Sequence, residues 1–174
     1  MKLSKEEKKF WQRNYRIEKA QNISTHWRLL KSADSDYDDE FFYFLSLRVL
    51  SIEEIYLKDS LITDEAIKYM INFSGLKTLF LRKNRYLTKL CISSFNQMKD
   101  LESLNITRTQ ITLSDLCENL QHQNLKEVFV DSEEHEENIL EKGFILKEKM
   151  PKCNIYLNCS HSTDVFGNLE KPIF

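Results

Sequence analysis

Glycine and proline are nearly missing from this chain, with 3 Gly and 2 Pro among 174 residues. Glycine stands only at Gly75, Gly143 and Gly167. No GxGxxG, GxxxxGK[ST] or GxSxG sequence can be written from those positions, so the usual phosphate cradles and the nucleophile elbow are excluded. Long apolar runs are missing too. The richest, Phe41 to Leu50, is broken by Ser46 and Arg48 and falls short of the ~20 residues that a membrane span requires. The first residues alternate charged and aromatic side chains and lack the apolar stretch of a secretory signal. An excess of one charge is also lacking: Lys+Arg of 25 against Asp+Glu of 27 leaves a net charge of -2, which argues against nucleic acid as the partner. These absences predict a cytoplasmic chain, or a mature form whose targeting segment has been removed, and on the cytoplasmic reading Cys91, Cys117, Cys153 and Cys159 are reduced thiols.

What is present is a repeat. Four segments share the pattern apolar-x-x-apolar-x-apolar: Ile52-Glu-Glu-Ile55-Tyr-Leu57, Leu76-Lys-Thr-Leu79-Phe-Leu81, Leu101-Glu-Ser-Leu104-Asn-Ile106 and Leu125-Lys-Glu-Val128-Phe-Val130. Their starts lie 24, 25 and 24 residues apart. A fifth, Lys152-Cys-Asn-Ile155-Tyr-Leu157, follows after 27 residues without its first apolar position. The sequel recurs as well, as Ser60-Leu-Ile62-Thr63, Asn84-Arg-Tyr-Leu87-Thr88 and Thr109-Gln-Ile111-Thr112.

These residues resemble leucine-rich repeats of the ribonuclease-inhibitor-like or cysteine-containing type. The best single match is Ile55-Tyr-Leu57 through Ile62-Thr63-Asp64 to Ile67, and the resemblance covers about Ile52 to Leu157. It implies an α/β fold: a short leucine-rich-repeat solenoid, a curved parallel sheet backed by helices. No single repeat can bury its apolar side, but stacked repeats share one core. The layout, a helical cap followed by about four repeats, also resembles the coupling factor B group of mitochondrial ATP synthase.

Three regions follow: an N-terminal helical cap over residues 1–50, repeats over 51–158 and a C-terminal tail over 159–174. In the cap, Leu3 to Ala20 reads as an amphipathic helix with Phe10, Trp11, Tyr15 and Ile17. A second short segment, Thr25 to Lys31, follows, and Glu40 to Leu47 falls one period before the helix beginning at Asp64. In the repeats, Ala66, Ile67 and Met70, then Leu90, Ile92, Phe95 and Met98, then Leu113, Leu116, Cys117 and Leu120 serve successive returning helices. A longer helix from about Glu133 to Met150 carries Ile139, Leu140, Phe144, Ile145 and Leu146, and Pro151 stops it.

Several constellations fail on inspection. Asp34, Asp36 and Asp38 have the opening spacing of a calcium loop, but Asp39 stands where Gly is needed and Leu45 where Glu is needed. The acidic run reads as a solvated linker in which Asp38 or Asp39 caps the next helix. Cys153, Cys159 and His161 invite zinc, but their spacing is not that of a zinc site. No histidine sits at a strand end beside a cysteine, as catalysis at a thiol would need. No metal, no cofactor and no enzymatic activity are expected.

The informative constellation comes from stacking the strands. Side chains alternate faces in a strand, so the middle residue of each L-x-L points away from the core. That column reads Tyr56, Phe80, Asn105, Phe129 and Tyr156, expected to face solvent on the concave side. The next column reads Lys58, Arg82, Thr107, Asp131 and Asn158, and Glu54, Thr78, Ser103, Glu127 and Asn154 flank the first on the other side. Arg108 extends the basic rim. Aromatic and arginine side chains are the enriched anchors of interfaces. The competing reading is cross-strand packing under a cap or the tail, with Pro172-Ile173-Phe174 available as cover.

The expected function is a non-catalytic module that grips a protein partner with the concave face. Its sharper form is a cytosolic immunity protein that blocks a cognate toxin; the alternatives are an assembly or adaptor factor of a larger complex and a metal- or thiol-dependent regulator.

Overall fold

The five repeated segments lie side by side as strands. The computed structural model describes residues 2–132, 138–159, 161–162 and 169–173. One open α/β sheet holds six parallel strands in chain order: β1 (His26–Ala33), β2 (Ser51–Lys58), β3 (Thr78–Phe80), β4 (Ser103–Asn105), β5 (Glu127–Val130) and β6 (Asn154–Leu157). Helix α1 (Lys5–Tyr15) precedes the sheet. Helices α2 (Asp39–Ser46), α3 (Asp64–Met70), α4 (Ile92–Phe95), α5 (Leu113–Asn119) and α6 (Ile139–Lys149) each fill one crossover, the connection that parallel pairing demands.

Register follows the apolar pattern. Ile55 aligns with Leu79, Leu79 with Leu104, Leu104 with Val128 and Val128 with Ile155. All five are buried, as are Ala66, Ile67 and Met70 of α3, Ile92 and Phe95 of α4 and Leu116 of α5, which join them in one core. Two groups of expected core residues lie elsewhere. Leu90 is 74% exposed; it sits on a 3-10 turn before α4, and Leu87, three residues earlier, fills the core instead. In α6, Leu140 and Phe144 are exposed and only Gly143 and Leu146 are buried. The main helical neighbour of this last helix is α5, and Leu140 and Phe144 lie on its exposed side. The beginning expected for that helix, residues 133–137, lies outside the described residues.

Polar ladders tie one crossover to the next. The Asp39 carboxylate accepts hydrogen bonds from Thr63 N (2.8 Å) and Thr63 Oγ1 (2.7 Å). Asp64 does the same for Thr88 at 2.8 and 2.6 Å. A carboxylate in the first turn of one helix thus seats the N-cap threonine of the next, through charge-assisted bonds. Asp38 caps α2 through Phe41 N (2.9 Å), so the acidic run does serve as a cap. Asn84, fully buried, donates to Leu57 O (3.2 Å) and accepts from Ser60 N (2.9 Å) and Ser60 Oγ (2.6 Å). His122 is likewise structural, with Nε2 2.8 Å from Met98 O and Nδ1 accepting from Leu125 N at 3.1 Å.

The first 50 residues correct the expectation of an all-helical cap. Residues 26–33 form β1, which pairs with β2 through Trp27 beside Ile52 and Leu30 beside Ile55. The reason is the same register: Trp27-x-x-Leu30 stands 25 residues before Ile52-x-x-Ile55. Helix α1 does form, opened by a capping box of Ser4 and Glu7. Its Phe10, Trp11 and Tyr15 enter an aromatic cluster with Trp27, Phe41 and Phe44. Glu7, buried, also pairs with Arg48 at 2.5 Å, which ties α1 to the turn before β2. At the other end of the sheet, Ile173 N donates to Ile155 O (2.8 Å) on β6, covering an edge that would otherwise be open.

Candidate functional site

The sheet face opposite the helices carries the aromatic column. Strand register places Lys31, Tyr56, Phe80, Asn105, Phe129 and Tyr156 in one row across the six strands. A parallel row holds Leu29, Glu54, Thr78, Ser103, Glu127 and Asn154. Sequence reasoning missed Leu29 and Lys31, since it treated their segment as part of a helical cap. The signal was the early Trp27-x-x-Leu30 copy of the repeat.

The row divides into two halves. Tyr56 and Phe80 are half-buried, with ring centroids 5.6 Å apart. Phe129 and Tyr156 stack closely, at 4.7 Å and 12°, and are only 3% and 6% exposed. Asn105 is buried as well; its Oδ1 accepts from Thr107 N (3.1 Å) and Thr107 Oγ1 (2.8 Å), serving the turn after β4. The expectation that these three face solvent is therefore corrected. Neighbouring strands lie about 4.8 Å apart, which lets adjacent flat rings cover each other, and the tail crosses this face. The imidazole of His161 stacks on Phe80 at 5.5 Å and 17°. Ile173 instead reaches the β6 edge, and Phe174 lies outside the described residues. A cavity of about 250 Å³ remains between Tyr56, Phe80, Ser103, Glu127, Phe129 and His161.

The electrostatics are polar across the row. On one side, Ser103 Oγ donates to Glu127 (2.7 Å). Burial raises the Tyr56 hydroxyl pKa above its ordinary value, and the carboxylates of Glu54 and Glu127 add to the shift. Tyr156 is raised likewise, by burial first and then by Glu127. On the other side stand Lys58 and Arg82, both half-buried. Beyond them, the left-handed turn residues Lys83 (φ 66°) and Arg108 (φ 58°) form the rim. An L side chain in that conformation costs roughly 1–2 kcal/mol, which is unusual at a basic residue. Lys83 is paired with Asp59. The backbone N of Arg108 donates to Asp131 (2.6 Å), while its side chain is exposed.

Burial disfavours the thiolate at three of the four cysteines. Burial raises Cys91 well above the ordinary thiol range and pushes Cys153 up to about 12, and Cys159 is also raised, chiefly by burial. Neutral thiols are poor nucleophiles and poor metal ligands. Among the described residues no three His, Cys, Asp or Glu side chains are grouped to hold a metal ion, and no helix is long and apolar enough to cross a membrane. A larger groove of about 640 Å³ lies beside α1, lined by Leu3, Ile23, Leu47, Leu50, Lys8 and Lys19 among others.

No protein-family model matches this chain, and no curated protein matches it in sequence.

Proposed function

We propose that this chain is a leucine-rich-repeat protein of the solenoid type and that it works without catalysis, by gripping a protein partner with the sheet face opposite its helices. The observation that carries the reading is the pair of half-exposed rings, Tyr56 and Phe80, bordered by Lys58 and Arg82. The apolar core lies on the other face, so these side chains are not needed to close it. Raised thiol values and a distributed, uncradled polar surface favour binding over chemistry. The working surface is the half of the face on β1, β2 and β3, because the aromatics of β5 and β6 are buried. Within this reading, the sharper form is a small immunity protein that covers the active site of a cognate toxin; fold alone does not choose the partner.

The test is site-specific photocrosslinking in the native cells. A benzophenone side chain replaces Phe80 in one chain and Leu90, exposed on the helical side, in another. A protein adduct formed from position 80 and missing from position 90 supports the reading. Adducts of equal yield from both positions, or none from position 80, would reject it.

A further inference from the structure

We infer that the exposed half of this face is built for a protein segment that presents a carboxylate beside an apolar side chain, with Arg82 as the main anion contact and Lys58 and Lys31 around it. This rests on the partner-binding reading above and names the chemistry of the partner.

Three consecutive layers supply the cations: Lys31 from β1, Lys58 from β2 and Arg82 from two residues past β3. Among the described residues none of the three is in an ion pair. Arg82 is half-buried, and its Nε is closed off from solvent without a hydrogen-bond partner. A guanidinium in that position ordinarily has an anion. The carboxylate beside this group, Asp59, is already held by Lys83, and its own ionisation is favoured by that contact and by the nearby Arg85 and Lys58. Three cations, Lys83, Arg85 and Lys58, thus already act on that one carboxylate.

The apolar half of the partner follows from the next row. Leu29 is 47% exposed and stands in the row beside Lys31 and Tyr56, so an apolar side chain one position from the carboxylate can lie on Leu29 and the Tyr56 ring. Nucleic acid fits less well. Phe80 already has two ring neighbours, Tyr56 and His161, which compete with a base for its faces. Glu54 and Glu127, near Tyr56, would repel a phosphate backbone laid along the row. A protein segment with one carboxylate at the Arg82 end and a hydrogen-bond donor at the glutamate end is complementary to both sides.

The experiment follows arginine Nε–Hε signals of the full chain by NMR, with the Arg82 signal identified as the one lost in Arg82→Lys. Three probes are titrated: N-acetyl-Phe-Asp-amide, its Phe-Asn counterpart and octauridylate. The expected result is a saturable shift of the Arg82 signal with the Asp peptide, at least about tenfold weaker binding of the Asn peptide, and weakened binding of both in Tyr56→Ala. Backbone spectra confirm that Arg82→Lys and Tyr56→Ala are folded. No saturable shift, equal binding of Asp and Asn peptides, or preference for octauridylate overturns the proposal. A shift with protein concentration alone assigns the face to a second copy and overturns it too. Crosslinking from position 80 without an Asp preference keeps the partner-binding reading and rejects this one. No crosslinking from position 80 rejects the partner-binding reading and this one with it, whatever the peptide preference.

Discussion

Alanine at three neighbouring kinds of site separates the two faces of the sheet and the two halves of the outer one. Leu79 points into the core and is fully buried, so Leu79→Ala is expected to cost about 2–5 kcal/mol, the transfer loss plus a cavity. Phe80, the next residue, points the other way and is half-buried. Its ring meets Tyr56 at 5.6 Å and His161 at 5.5 Å. Aromatic contacts of this kind contribute about 0.5–1.5 kcal/mol each, so Phe80→Ala is expected to cost roughly 1–2 kcal/mol. Phe129 shares that outer face but is 3% exposed and stacked on Tyr156; Phe129→Ala should cost about 3–5 kcal/mol, like a core residue. Urea unfolding followed by far-ultraviolet circular dichroism reads all three, and an unchanged dependence on denaturant keeps the comparison valid. A Phe80 loss as large as that of Leu79 would mean that the register is slipped by one residue, exchanging the faces. A Phe129 loss below about 1 kcal/mol would refute the covered half.

Three more outcomes are expected. Asn84→Ala removes the partner of Ser60 and Leu57 in a fully buried place, and should cost about 1–3 kcal/mol for each group left unpaired; a melting temperature within error of wild type contradicts the ladder. Glu7 has its pKa lowered below the ordinary carboxyl value, first by its hydrogen bond from Arg48. A lowered folded value gives stability that is present above the unfolded value and lost as pH falls through the folded one. Glu7→Gln should therefore be less stable than wild type at neutral pH by about 1–3 kcal/mol, with the gap closing in acid; a gap constant across that range refutes the pair. Cys91, Cys117 and Cys153 are buried and Cys159 is partly exposed. A colorimetric thiol reagent should find one fast thiol, lost in Cys159→Ser, and slow reaction at the rest; a second fast thiol contradicts the packing.

The strands β2 to β5 were legible because each buries the same three positions, β6 because it keeps two of them as apolar residues, and a period of 24 to 27 residues repeats them. β1 was harder to read. Its third apolar position is Ser32, and only Trp27 and Leu30 keep the pattern. Leu29 and Lys31, which enlarge the candidate site, were hidden with it. The aromatic row itself could be read from strand alternation, but its burial could not. The burial of Phe129 and Tyr156 arises where their rings stack on each other across two strands, and the seat of His161 on Phe80 follows from no repeat or spacing in residues 159–174.

Periodic apolar residues thus determined, by themselves, the parallel strands, the helical crossovers between them and the division of side chains into a core face and an outer face. Those are consequences of short-range geometry, repeated: two residues per strand alternation, 3.6 per helical turn and one copy per layer. The tertiary structure alone decided that Asn84 answers Ser60, that Asp39 and Asp64 seat the next threonine, that Arg82 has no carboxylate partner among the described residues, and that the outer face is covered at one end and exposed at the other. Each of those depends on groups from different layers or from the tail meeting in space, and sequence spacing carries no information on which of several polar partners a buried group will find.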